Sequence, residues 1–304
     1  EIANGDWSSD VCSSDLPPFF SYIYKNNKLK IMNNYEKSQY EAIKKWKSEE
    51  PSVVSQAVGS VFKPASWLIE KIIPSKAIEG VLSGCNMMAE WFCDIDDIKR
   101  DAKVVSISEL KTKDLELSDK LADEVHNWAV AAATGEGGAA GFLGLAGMIV
   151  DIPALITMGL RVIHKIGICY GFENKSEYDK KFIFSILSIA GANTMKEKNT
   201  SLLLLRQISV KIATDTWKKM ATDQAIKGFG LDAAIIAIKN LAKQLGINIT
   251  KRKAGQAIPL IGTAVGAAMN AQFINDIAWA ARRAFQERWL IENQLIDIEC
   301  EVIA

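Results

Sequence analysis

The sequence predicts an all-α fold, a multi-helix bundle with Gly/Ala-rich central helices and no substantial β-sheet. Three observations predict it. Apolar residues recur at helical spacing through most of the chain after residue 32. Helix starts and stops punctuate that spacing. No run of alternating β-branched residues is long enough to build a sheet.

The first helix is expected from Asn33-x-x-Glu36, with Tyr35, Ala42, Ile43 and Trp46 on one face, Lys37, Glu41 and Lys44 opposite, and Pro51 as the stop. Short segments follow at Val53–Phe62 and Ala65–Ile73, then a longer helix over Lys76–Asp97. The polar stretch VVSISELKTKDLEL leads to a helix from about Ser118, its candidate N-cap, to Ala133. Ser176-x-x-Asp179 reads as a capping box opening a helix to about Ala190. A periodic run covers about Lys196 to Ile226, and LDAAIIAIKNLAKQLG is an amphipathic helix stopped by Gly246. KRKAGQ is a basic loop, and the chain closes on the helical IPLIGTAVGAAMNAQFINDIAWAARRAFQERWLIENQ.

The front of the chain is of another kind. DWSSDVCSSDL has no helical or strand period, no positive start and no apolar run, so it is not a secretory signal. Reverse-translated, it resembles the adaptor ligated to DNA in short-read sequencing libraries. Residues 1–16 are therefore set apart as an artefact, and 17–31 as translated upstream sequence or a disordered arm. Met32 is the expected first residue of a single domain over 32–304. That stretch holds 33 basic and 32 acidic residues, a balance that argues against a dedicated nucleic-acid binder. Cys85, Cys93, Cys169 and Cys300 show neither CxxC spacing nor a dense framework, which fits a reducing, cytoplasmic compartment.

The most unusual region is TGEGGAAGFLGLAGMIVDIPALITMGLRVIHKIGICYGFE. It lacks the Lys-Ser/Thr of a phosphate loop and no strand precedes it. As a membrane span, the nine strong apolar residues of Gly141–Leu160 supply roughly −3 to −5 kcal/mol, and Asp151 alone returns about 2.5–3.5 kcal/mol. Spanning is not predicted. The expected structure is two helices meeting at Asp151, with Asp151 as N-cap, Pro153 in the first turn, and Gly171 as a C′ residue. The glycine series Gly141, Gly144, Gly147 and Gly262, Gly266 would let helix backbones approach closely. The segments near 137–150 and 258–271 are expected packing counterparts.

This block and IPLIGTAVGAAMNAQFINDIAWAARRAFQERWLIE resemble the EcsC protein family, from about Met32 onward. The resemblance implies a peripheral, membrane-associated accessory role linked to an ABC transporter, and brings no catalytic mechanism.

Two residue sets carry the functional expectations. Gly141, Phe142, Gly144, Leu145 and Gly147, with the polar strip Arg161, His164, Lys165 and Thr157, would form an apolar hairpin with a basic flank for membrane or partner contact. Arg288, on the apolar face of Phe273, Ile277, Ala281 and Ala284, needs a buried carboxylate, for which Asp151 and Asp276 are the candidates. Neither His126 nor His164 has metal-ligand spacing, so no metal and no cofactor is expected. Cys169 is expected as a buried, inert thiol, and the scattered tryptophans mostly as core anchors. The expected function is that of a non-enzymatic peripheral protein on the inner face of the cell membrane, touching lipid or a transporter subunit. The alternatives are a small-molecule or lipid-handling enzyme built around Asp151, Arg161 and Arg288, and a soluble interaction module.

Overall fold

Capping chemistry decides where two of the helices begin. The computed structural model describes residues 30–52, 95–140, 144–174, 176–221 and 262–296, and only the helical backbone for 135–140, 144–154, 214–221 and 262–269. These residues form α1 (Asn34–Ser48), α2 (Asp96–Ala102), a 3-10 helix (Ile107–Thr112), α3 (Leu115–Ala140), α4 (Gly144–Cys169), α5 (Glu177–Ala190), α6 (Met195–Ala221) and α7 (Gly262–Glu292). The fold is all-α, with no strand among the described residues. At α1 the Asn33 side chain accepts the Glu36 N–H at 2.8 Å, and the Glu36 carboxylate accepts the Asn33 N–H at 2.7 Å. Ser176 and Asp179 do the same for α5, each bond at 3.0 Å. Both boxes satisfy amides that a helix start otherwise leaves unpaired. Helix α4 ends as expected at Gly171, whose φ is +89. The Phe172 N–H reaches the Gly167 carbonyl and the Gly171 N–H that of Ile168, both at 2.9 Å, the paired closure of a Schellman end.

The glycine-rich region departs from expectation. There is no break at Asp151: α4 runs unbroken through Asp151 and Pro153. An interior proline removes one intrahelical bond and crowds the preceding turn, a local cost of about 3 kcal/mol that flanking apolar residues can offset by packing. Likewise α3 continues past its expected end at Ala133 through Gly135, Gly137 and Gly138 to Ala140, so GGAA is helical as the end of α3 rather than the start of a separate helix. Helices α3 and α4 run antiparallel and pack on one another, a helical hairpin. At its other end α3 starts at Leu115, with Asp114 accepting the Glu116 N–H at 3.2 Å. Ser118 is therefore inside the helix rather than capping it, and its hydroxyl is buried. The segments 53–94 and 222–261 fall outside the described residues, and with them the helices expected there.

Helix α7 is the axis of the bundle and packs against α3, α4, α5, α1 and α6. Its Phe273, Ile274, Ile277, Ala278, Ala281, Ala284, Phe285, Trp289 and Leu290 are all buried. It runs antiparallel to α3, where Asp119 meets Gln286 and Asp123 meets Arg282. It runs parallel to α4, where Gly159 faces Ile277 and Gly167 faces Phe285. Phe285 stacks with Tyr170 and Phe172 and tilts against Phe182, so one ring joins α4, α5 and the turn between them. Helix α6 is tied to α1 by the buried Lys198 ammonium, which donates to the carbonyls of Trp46 and Glu49, each at 2.5 Å. A cation there satisfies orphan carbonyls and complements the dipole at the α1 C-terminus.

The two α4 glycines predict different outcomes. A Cβ at Gly167 would lie 2.6 Å from the Phe285 ring and 2.4 Å from the Asn174 amide, whereas one at Gly159 meets chiefly the mobile tip of Ile277 at 2.7 Å. Overpacking costs about 1–3 kcal/mol and the helix-propensity gain returns about 1 kcal/mol. Gly167→Ala should therefore lower the urea midpoint clearly and Gly159→Ala hardly at all; equal midpoints would contradict this packing.

Candidate functional site

The expected basic strip divides among three environments. Arg161 is half-buried on α4, its Nε enclosed and its guanidinium 5.7 Å from the centroid of the Trp128 ring. Trp128 is 58% exposed, unlike the core tryptophan Trp289. Three residues on, His164 is buried in the core. Lys165 turns the other way and pairs with Asp97 in the first turn of α2 at 2.5 Å. The strip is thus not one solvated edge: successive positions on a helix packed on several sides face different neighbours. Gly141 and Phe142 lie outside the described residues, and Gly144, Leu145, Gly147 and Asp151 are placed by their backbone alone.

Arg288 is 7% exposed, and its partner differs from the two candidates. It donates to Asp179 at 2.8 Å and to Glu292 at 2.9 Å, and stacks over Phe172 and Phe182. Asp276 is engaged elsewhere, accepting from Ser52 at 3.0 Å and Gln272 at 2.7 Å. Asp179 serves twice, as the capping-box acid of α5 and as the counter-ion of α7. Burial pushes its carboxyl up, but the Arg288 charge and the Ser176 hydrogen bonds outweigh this and hold it below the usual range. Arg161 and Arg288 belong to levels of the bundle about 13 Å apart, so the cluster Asp151, Arg161 and Arg288 does not converge.

A second polar assembly escaped the sequence reading. Asp119, 4% exposed, accepts from the Tyr35 hydroxyl and from Gln286, each at 2.7 Å, and from the Tyr170 hydroxyl. Arg283 donates to Gln286 at 2.8 Å and to Gln39 at 3.0 Å. One turn along α3, Asp123 accepts from Arg282 at 2.6 Å, and Arg282 stacks 4.6 Å from the Trp279 centroid. His126 then bonds Asn275 at 2.9 Å and meets Trp279 edge-on. Burial, reinforced by Asp119, raises both tyrosine hydroxyls well above their ordinary range, so they act as neutral donors. The signal was present as Asp119, Asp123 and His126 on α3 and Asn275, Trp279, Arg282 and Gln286 on α7, each set on one helical face. Among the described residues no group of three or more His, Cys, Asp or Glu side chains is arranged to hold a metal, and the buried Cys169 thiol donates to the Lys165 carbonyl at 3.3 Å.

The model of the EcsC protein family matches residues 37–290. This chain belongs to that family. The matched span includes Asp119, Asp123, Trp128, Arg161, Asp179 and Arg288. A relative from Bacillus subtilis (strain 168), named Uncharacterized protein YdbA, is 22% identical over 188 residues, 62% of this chain and 64% of the relative. The match thus covers just under two thirds of that relative's length. No solved structure matches the chain.

Both histidines of this EcsC family member couple its stability to pH. Burial pulls His164 down from 6.5 to about 4, against the small upward pull of Asp179. Burial lowers His126 as well, and Arg282 adds to it. A histidine depressed in the folded state is protonated first in the unfolded chain, so stability falls as pH drops from about 6.5 toward about 4. His164 alone contributes on the order of 3 kcal/mol across that window. The urea midpoint should fall on acidification from neutral pH, and His164→Gln should flatten that fall in part, leaving the share of His126. An unchanged pH profile in the variant would refute the assignment.

Proposed function

We propose that this EcsC family member is a non-enzymatic accessory protein that attaches peripherally to the cytoplasmic face of a membrane through the α3–α4 hairpin. The observation that supports it is Trp128, exposed on the hairpin with the Arg161 guanidinium over its ring. An indole has an apolar body and one polar edge, and gains most where water gives way to acyl chains. An arginine beside it suits the phosphates of that same boundary. Beyond this pair the hairpin carries the apolar sequence GFLGLAGMIV. No helix among the described residues is long and apolar enough to cross a membrane, so contact would be from one side. A transporter subunit in that membrane is the natural protein partner for such a placement.

Flotation of the chain with neutral and anionic vesicles, at low and high salt, tests the reading. Binding should favour anionic vesicles, weaken with salt, and drop several-fold for Trp128→Ala and for Arg161→Gln. Failure to float with any vesicle would remove lipid as the direct target and leave protein docking.

A further inference from the structure

Helix register brings three chain segments to one end of the bundle, and they share a composition. Along α3 and α7, Asp119 meets Gln286, Asp123 meets Arg282 and His126 meets Trp279. Continued along the two helices, this antiparallel register sets Ala140, the end of α3, beside the first turn of α7. Along α4 and α7, Gly159 meets Ile277 and Gly167 meets Phe285. That parallel register, carried back, sets Gly144 beside Gly262. The end of α3, the start of α4 and the start of α7 therefore form one end of the molecule.

Charge stops at a common level below that end. On α3 it stops at Asp123 and Glu124, on α4 at Arg161, and on α7 at Asp276. Beyond, from Val125 to Ala140, Gly144 to Leu160 and Gly262 to Asn275, Glu136 and Asp151 are the two Asp, Glu, Lys or Arg residues. The boundary is also where aromatic and cationic groups gather: Trp128 under Arg161 on the hairpin, and Trp279 under Arg282 on α7. By the registers above, residues 126, 161 and 279 stand at one height. From there the helices rise about 21–26 Å at 1.5 Å per residue. A hydrocarbon leaflet is about 15 Å thick and the full core about 30 Å. The end is tall enough to enter one leaflet at a tilt and too short to cross both.

We infer that this three-helix end is the inserted part of the protein, entering the acyl layer of one leaflet, with the Trp128–Arg161 level resting at the headgroups. The inference rests on the membrane reading above and names the partner as the acyl region of lipid, not the charged surface alone. Small residues suit such an end, because three backbones can close on one another without leaving voids for chains to fill. Glu136 and Asp151 set the limit on depth. The registers place both at the height of Met269, where ionised carboxylates are costly.

Vesicles of equimolar phosphatidylcholine and phosphatidylglycerol, carrying a diazirine in the acyl chain, test this by photolabelling. The full chain and its Glu136→Gln/Asp151→Asn variant would be floated and irradiated, and their adducts mapped by mass spectrometry. Adducts should concentrate in peptides from the end of α3 and the starts of α4 and α7, and the variant should partition about tenfold more strongly or better. Flotation without adducts in those peptides, or equal partitioning of the two proteins, overturns the inference and leaves peripheral binding standing. If neither protein floats, the membrane reading falls and the inference with it.

Discussion

The bundle depends on placing a cation-bearing helix at its centre. Helix α7 is packed by five other helices among the described residues and still carries Arg282 and Arg288 at under a tenth of their exposure in water. Stripping water from a guanidinium costs several kcal/mol unless a carboxylate and further donors or acceptors replace it. The fold meets this by aiming an acid at each: Asp123 from α3 at Arg282, and Asp179 from α5, with Glu292 one turn along, at Arg288. Aromatic faces add to both shells, Trp279 for the first and Phe172 and Phe182 for the second. Such pairs add little net stability over an apolar core, but an unpaired buried charge is strongly unfavourable. Their effect is on arrangement.

That arrangement is what a functional reading needs. A one-turn slip of α3 along α7 would separate Asp123 from Arg282 and Asp119 from Gln286 together. The polar seam thereby fixes the height of α3 relative to α7. Gly167 against Phe285 does the same for α4 by shape alone, since close approach at that point requires the missing Cβ. Electrostatics on one side of α7 and steric fit on the other hold three helix ends level. The exposed Trp128 and the charge boundary are at one height because of both.

Local features of this fold were legible in the sequence and non-local ones were not. The boxes Asn33–Glu36 and Ser176–Asp179 and the C′ glycine Gly171 are set by residues within a turn of one another, and each is found where expected. The break expected at Asp151 rested on a strong local signal, Asp followed by Pro, but a few kcal/mol of local penalty does not end a helix embedded in a bundle. Arg288 shows the limit most clearly. Its place on an apolar face demanded a buried carboxylate, yet Asp179 is over a hundred residues away and already employed as a cap, so no spacing rule connects them. The Asp119 seam is drawn from three helices, α1, α3 and α7, and the turn after α4, and only half of it was visible as periodicity.

The account is tested most directly at the Arg288–Asp179 contact, by a double-mutant cycle in urea unfolding with Arg288→Ala, Asp179→Ala and both together. If buried charges on α7 are held by their carboxylates, the two losses will be far from additive, with a coupling of about 2–3 kcal/mol. Additivity to within about 0.5 kcal/mol would mean that the two side chains do not sense each other, and would contradict the central place given to this helix.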